Sequence, residues 1–516
     1  AEDGASKDTF QLGAALDVNG NLPLTDGTLD ATTTPYNITL AGNWSNSDTF
    51  TARTGTVTFN AGSGTQTLNS GGTSFNNISH NAAGTLQLLT NALTTSGTFT
   101  NSSGTFDANA LAHTVTGLAT VSGGTYTAST ATQTFTAGLT VSGGTLTGSS
   151  GAITSGTITL SSGTLTAPSG AFTATANWSQ SGGTFTPGTN TVTLTGTSAQ
   201  TLTSGGTSFY NLPQNGSGGT YTLQDALTVT NNLTITAGTL DTKSGSNYAI
   251  TVSGNWSNSG TFTARTGTVT LNGTNQTISG PTTFNNLTKN VTSAATLTLP
   301  SGSTNTQTIA GTLNFSGTAG NLLSLRSNVS GTQWRIDPQG TRTISYLDVK
   351  DSNNTNATAI ATSGFNITDS LNNTNWTFDI ATPVISSISP ASGSTIQLSS
   401  PTITFTTDEN ADCRVATTDK SYDDMSGDID CSGDASTSIS CNTESVGGSS
   451  VDIYISCNDS YGNKDTTSTN TKVSYSVVRN VGGGGSGGGG GGVPSSPVSP
   501  PPPSPVPPPI IEQIAQ

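Results

Sequence analysis

Few side chains in this sequence are suited to ligation, redox or acid–base roles, and most of them crowd one segment. Cys413, Cys431, Cys441 and Cys457 are its only cysteines. No pair has Cys-x-x-Cys spacing and no histidine lies near, so a tetrahedral zinc set is disfavoured. An even number confined to one small module reads as two disulfides and an oxidising, extracytoplasmic compartment. Four cysteines allow three pairings; the expected one joins Cys413 to Cys457 across the module and lets Cys431 and Cys441 close a local loop. Around them stand Asp408, Glu409, Asp412, Asp419, Asp423, Asp424, Asp428 and Asp430. Carboxylates in loops suit a hard cation, so Asp408, Asp412, Asp423 and Asp424 are candidates for a structural calcium ion. The alternative is an acidic surface loop, and the spacing matches no EF-hand. No other cofactor is expected.

Elsewhere the chemistry thins out. His80 and His113 are the only histidines. Neither sits in a nucleophile or metal-ligand motif, and both read as turn or surface residues. Asp337, Arg342, Asp348, Lys350 and Asp351 form a second charged group, read as a solvated, ion-paired end coil. Trp44, Trp178 and Trp256 each follow Asn and precede Ser; they could offer a sugar platform, and a core position is the favoured reading. Repeated Thr-x-Thr runs would suit an ice-binding face, although threonine simply fits a pleated, half-exposed surface. Gly-Gly steps such as Gly123-Gly124 and Gly205-Gly206 open no helix, so they are turns and not phosphate cradles.

The secondary structure that carries these residues is announced by repetition. Thr125, Thr145, Thr164 and Thr184 recur about every twenty residues, followed by Tyr126, Leu146, Leu165 and Phe185. That spacing is one coil of a β-solenoid, with three short strands per turn. A longer unit recurs too. Gly42-Asn43-Trp44-Ser45 returns as Gly254-Asn255-Trp256-Ser257, and more loosely at Asn177-Trp178-Ser179. Each copy runs on to a shared tail: Phe75-Asn76-Asn77-Ile78, Phe209-Tyr210-Asn211-Leu212 and Phe284-Asn285-Asn286-Leu287.

Composition agrees with an all-β reading. Charged residues are 8%, glycines number 63, and Thr, Ser and Asn alternate with Val, Leu, Ile and Phe. A net charge of -15 argues against nucleic acid or an anionic membrane as partner. No apolar stretch is long enough to span a bilayer. The start Ala1-Glu2-Asp3-Gly4 suggests a mature, trimmed product. The expected domains are an N-terminal cap at 1–35, a parallel β-helix at 36–380, a disulfide-bonded Ig-like β-sandwich at 381–480 and a disordered Gly/Pro-rich linker or tail at 481–516. About 17 coils at roughly 4.8 Å each would make a rod on the order of 80 Å long. A spacer usually leads to something, so continuation into an anchoring or assembly region is expected.

The coils, the NWS-GTFT-TVT-QTL-FxNL unit and the ending WRIDPQGTRTISYLDVKDS resemble the right-handed parallel β-helix surface proteins of bacteria, similar to haemagglutinin-like and autotransporter-passenger rods. The closing run Cys457-Asn458-Asp459-Ser460-Tyr461-Gly462-Asn463-Lys464-Asp465 resembles a bacterial Ig-like repeat. The resemblance implies a secreted or cell-surface protein acting as stalk, adhesin or filament subunit. Its partners would be further copies, end to end, or a host or neighbouring-cell surface or glycan. The chain shows no C-terminal membrane barrel, so the autotransporter route is not implied. Parallel β-helices also house polysaccharide lyases and hydrolases, and a carbohydrate-active rod is the alternative. Paired carboxylates or a base with cationic help would be needed, and acidic residues rarely fall one coil apart on the same face. No enzyme activity is expected.

Overall fold

The computed structural model describes residues 8–362, 366–379, 381–396, 400–444, 449–459 and 461–478. They are all β, with no helix among them, and so none long and apolar enough to cross a membrane. The expected tail at 481–516 lies outside the described residues. Two compact units share the chain, with the break at Thr382/Pro383.

The first unit is a parallel β-solenoid of about 18 turns. In its middle, each coil supplies three strands that stack on their counterparts one coil later. Phe99–Asn101 pairs with Leu118–Val121, Thr105–Asp107 with Thr125–Thr127, and His113–Val115 with the start of the long strand Gln133–Thr147. That strand and the next, Ile153–Thr166, continue round the corners, with register shifts between Phe135 and Gly138 and between Ser142 and Thr145. Where the backbones of successive coils come closest at a corner, the residue is glycine. Gly124 has φ +58°, and a Cβ there would meet the Gly104 carbonyl oxygen at 2.1 Å.

Strand alternation decides what goes inside. Tyr126, Leu146 and Leu165 are 0% exposed and Phe185 is 3% exposed, while the threonines on either side of each face outward. The long repeat has a packing reason as well. Trp44, Phe50 and Phe75 form an aromatic triad with ring centroids 4.8, 5.0 and 5.3 Å apart. Trp178, Phe185 and Phe209 repeat it at 4.8, 5.1 and 5.8 Å, and Trp256, Phe262 and Phe284 at 4.9, 5.2 and 6.0 Å. The tryptophans are therefore core residues, and the shared tail exists to bring the third ring inward.

Stacking begins earlier than the sequence indicates. Leu16–Val18 pairs with Ile38–Leu40 and Leu22–Leu24 with Trp44–Asn46, so the segment expected as a cap already carries coil strands. Its version of the repeated phrase is Gly27-Thr28-Leu29-Asp30, in which aspartate replaces the second threonine.

The second unit is built mainly from antiparallel pairs. The first half of the long strand Thr402–Ala416 pairs with Ile385–Ser389 and Ser436–Asn442. After an irregularity between Thr406 and Ala411, its second half takes up Ser450–Asp459 and Ile429–Asp430. Thr471–Val477 continues the sheet, and the short Thr395–Ile396 joins it in parallel. Cys413–Cys457 and Cys431–Cys441 are both formed, as expected, in a core that includes Ile403, Phe405, Ile455 and Tyr475. Cys413 stands directly opposite Cys457 on neighbouring strands. The bridge thus ties two paired strands and does not cross between sheets, unlike the cross-bridge of an immunoglobulin sandwich.

Candidate functional site

The four calcium candidates do not gather. Asp408 accepts the Val384 amide at 2.7 Å, and Asp412 accepts the Tyr422 hydroxyl. Asp423 is paired with Lys464 at 2.6 Å, and Asp424 accepts the Ser421 hydroxyl at 2.6 Å. No three of them lie close enough to share an ion. Lys420 takes Asp428 at 2.6 Å. The loop therefore distributes its carboxylates among local partners.

One of those partners is itself well built. The Tyr422 ring has the Arg414 guanidinium 4.3 Å and the Lys464 ammonium 5.8 Å from its centroid. Burial, then the Asp412 carboxylate, pushes the phenol well above its ordinary range, so it stays a donor. A cavity of about 180 Å³ in the same unit is lined by Val415, Asp428, Ile429, Thr443, Glu444 and Ile453. One of its two carboxylates is already spent on Lys420.

At the end of the rod the second charged group resolves into separate ties. Asp348 pairs with Arg326, a residue outside the expected group. Asp337 accepts Gln339 at 2.9 Å and Asn356 at 2.8 Å, and Arg342 donates to the carbonyls of Pro338 and Ala359. Asp351, 3% exposed, accepts Asn372 at 2.7 Å and the Gly331 amide at 3.0 Å, and these bonds hold its carboxyl below the usual range. These bonds stitch the final coils to one another. They do not converge on a cleft.

The histidines are corrected outright: both are 0% exposed and lie on strands, facing inward. His80 Nδ1 is 2.7 Å from the Asn101 amide oxygen. His113 joins an interior chain. Tyr126 donates to Gln133 Oε1 at 2.7 Å, so the phenol oxygen, 3.1 Å from His113 Nδ1, receives the imidazole proton. Burial holds the His113 imidazole down to about 3, which keeps it neutral.

Three structural devices escaped the sequence reading. The first is an internal amide at the repeat. Gln66 donates to the carbonyls of Leu40 and Gly42, and Gln276 to those of Val252 and Gly254. In the looser middle copy Gln200 turns to Ser198 instead. Tyr221 of the next coil puts its hydroxyl 2.9 Å from the Ala176 carbonyl and 3.3 Å from that of Ala174, and accepts the Gly196 amide at 3.1 Å. A phenol thus does the work of a carboxamide.

The second device is a buried polar position five residues beyond each tail phenylalanine, occupied by His80, Gln214 and Lys289, all at most 1% exposed. The Lys289 ammonium rests 2.7 Å from both the Gly273 carbonyl and Gln276 Oε1, with no paired carboxylate among the described residues. Burial pulls its amine down to about 8.

The third is a two-pronged ion pair one coil apart. Arg53 grips Asp30 through Nε and Nη2, each at 2.8 Å, and Arg265 grips Asp241 at 3.0 and 2.7 Å. The Arg53 guanidinium beside Asp30 holds that carboxyl down to about 2. In the middle copy Thr166 and Gly188 occupy these positions, so both charges vanish together.

The outer surface of the rod is the remaining place for function. From Thr54 to Gln224 the only Asp, Glu, Lys or Arg is Asp107. Threonine, serine and asparagine cover the coils there. Such a surface hydrogen-bonds and, Asp107 apart, carries no ionised side chain. Compared with known proteins, the chain matches no family model, no curated protein and no solved structure.

Proposed function

We propose that the protein is an extracellular structural or adhesive component, a stiff β-helical rod that serves as stalk, adhesin or filament subunit and not as an enzyme. The observation that carries this reading is the long, nearly charge-free wall from Thr54 to Gln224, backed by inward columns that are mainly apolar and broken only by hydrogen-bonded polar residues such as His80, His113 and Gln133. Such a stack resists bending because every strand is hydrogen-bonded to the coil before and after it. The two disulfides favour an oxidising environment outside the cytoplasm. The second unit, with its buried core and charged loops, is read as an Ig-like contact module whose bridge has moved to neighbouring strands.

Negative-stain electron microscopy of the purified protein over a range of concentrations, with and without calcium, tests this. Stiff rods, alone or joined into regular fibres, support the reading. Compact or flexible particles overturn it, and turnover of a polysaccharide by the purified protein would replace it with the carbohydrate-active alternative.

A further inference from the structure

One face of the rod presents two parallel columns of threonine. Thr125, Thr145, Thr164 and Thr184 stand opposite one another in successive coils, and so do Thr127, Thr147, Thr166 and Thr186. Thr105 and Thr85 prolong the first column, while Asp107 and Gln87 end the second. Because Tyr126, Leu146, Leu165 and Phe185 between them point inward, both threonines of each pair face outward. Coils lie about 4.8 Å apart and residues i and i+2 about 6.7 Å apart, so the eight side chains mark a rectangular grid.

Several properties set this grid apart from ordinary polar surface. Among the described residues, none of its eight hydroxyls has a hydrogen-bond partner within the chain. The hydroxyls of Thr175, Thr195, Thr230 and Ser162, by contrast, are spent on carbonyls of the preceding coil. The grid lies inside the stretch Ala108 to Gln224, which has no Asp, Glu, Lys or Arg to impose its own hydration shell. Threonine is stiff about χ1, so each hydroxyl and methyl is held in place before anything binds, and little side-chain entropy is lost on contact. Lastly, the face shows no aromatic ring: Tyr126 and Phe185 are inside, which removes the flat platform a pyranose would stack on.

We propose that this threonine grid binds an ordered water lattice, the surface of ice. Free hydroxyls at fixed intervals exchange hydrogen bonds with lattice waters, and the methyl groups between them sit in the hollows of the ice plane. The mesh is on the scale of the oxygen spacing in such planes. The inference does not depend on the adhesive reading.

The test uses the full-length protein with thermal hysteresis and inhibition of ice recrystallisation as readouts. Two substitutions separate this face from the rest: Thr145→Lys within the grid, and Thr134→Lys in the column formed by Thr114, Thr134 and Thr154 on another face. Both are outward changes that leave the fold intact by circular dichroism. Ice activity in the native protein and in Thr134→Lys, lost in Thr145→Lys, is the expected result. Absence of ice activity in the native protein, or equal loss in both variants, overturns the proposal. Retention on crystalline cellulose or chitin that Thr145→Lys abolishes, without ice activity, also overturns it and assigns the grid to a glycan.

Discussion

The first unit contains no cysteine and, along its middle, almost no charge, whereas the second holds all four cysteines and the densest run of carboxylates. The rod buries a continuous apolar column, and each new coil adds hydrogen bonds to both neighbours, so its stability grows by repetition. The smaller unit has one modest core and adds covalent ties and ion pairs to it. Within a single chain the two solutions stand side by side, and they differ in what they require of the environment. The disulfides require an oxidising compartment; the coils do not.

The largest expected effect is in the rod. Trp256→Ala empties the third aromatic triad and costs about 3–5 kcal/mol, unfolding the coils around it while leaving the second unit's transition in place. Denaturant unfolding followed by hydrogen exchange reads both regions at once, and movement of both transitions together would show that the two units do not stand independently. Next comes Cys413→Ser with Cys457→Ser, which costs the second unit about 2–4 kcal/mol and leaves the rod unmoved in the same experiment.

Tyr221→Phe probes the interior of the rod alone. It removes one hydroxyl that serves the Gly196 amide and the Ala176 and Ala174 carbonyls, at a cost of about 1–3 kcal/mol, measured by chemical denaturation. Lys289 produces a smaller, pH-dependent effect. Its amine titrates near 8 in the folded chain and near its ordinary value when unfolded. Below pH 8 both states bind the proton and the burial penalty is fully present. As pH rises from 8 towards the unfolded value, the folded state alone releases its proton, so stability increases with pH. Denaturation midpoints across that window should rise in the native protein and stay flat in Lys289→Met.

The rod was legible because its period is carried by residues with one physical job each. Thr125, Thr145 and Thr164 mark an outward step, the apolar residue after each an inward one, and Gly124 a corner. The interior polar residues were hidden because they break that pattern: a histidine in a β-solenoid is read outward by default. Yet the parity was available. His80 follows inward Ile78 by two residues, as Gln214 follows Leu212 and Lys289 follows Leu287, and period-2 alternation sends all three inside. The Asp30–Arg53 and Asp241–Arg265 pairs were likewise signalled by Gly-Thr-Leu-Asp in both outer copies and by the joint loss of both charges in the middle one. The replacement of Gln200 by Tyr221 had no such signal, since only the stacking register brings residues from different coils to one carbonyl. In the second unit the expected disulfide pairing formed, although it was one of three that four cysteines allow, while the partner of each carboxylate depended on loop geometry that no period announces.

The claim that one chain combines a self-supporting rod with a cross-linked module is tested most directly by hydrogen-exchange mass spectrometry with and without reductant. The account predicts that amides from Thr54 to Gln224 stay equally protected in both conditions, while Thr402–Ala416 and Ser450–Asp459 lose protection once Cys413–Cys457 and Cys431–Cys441 are opened. Loss of protection along the rod on reduction, or none in the second unit, would contradict it.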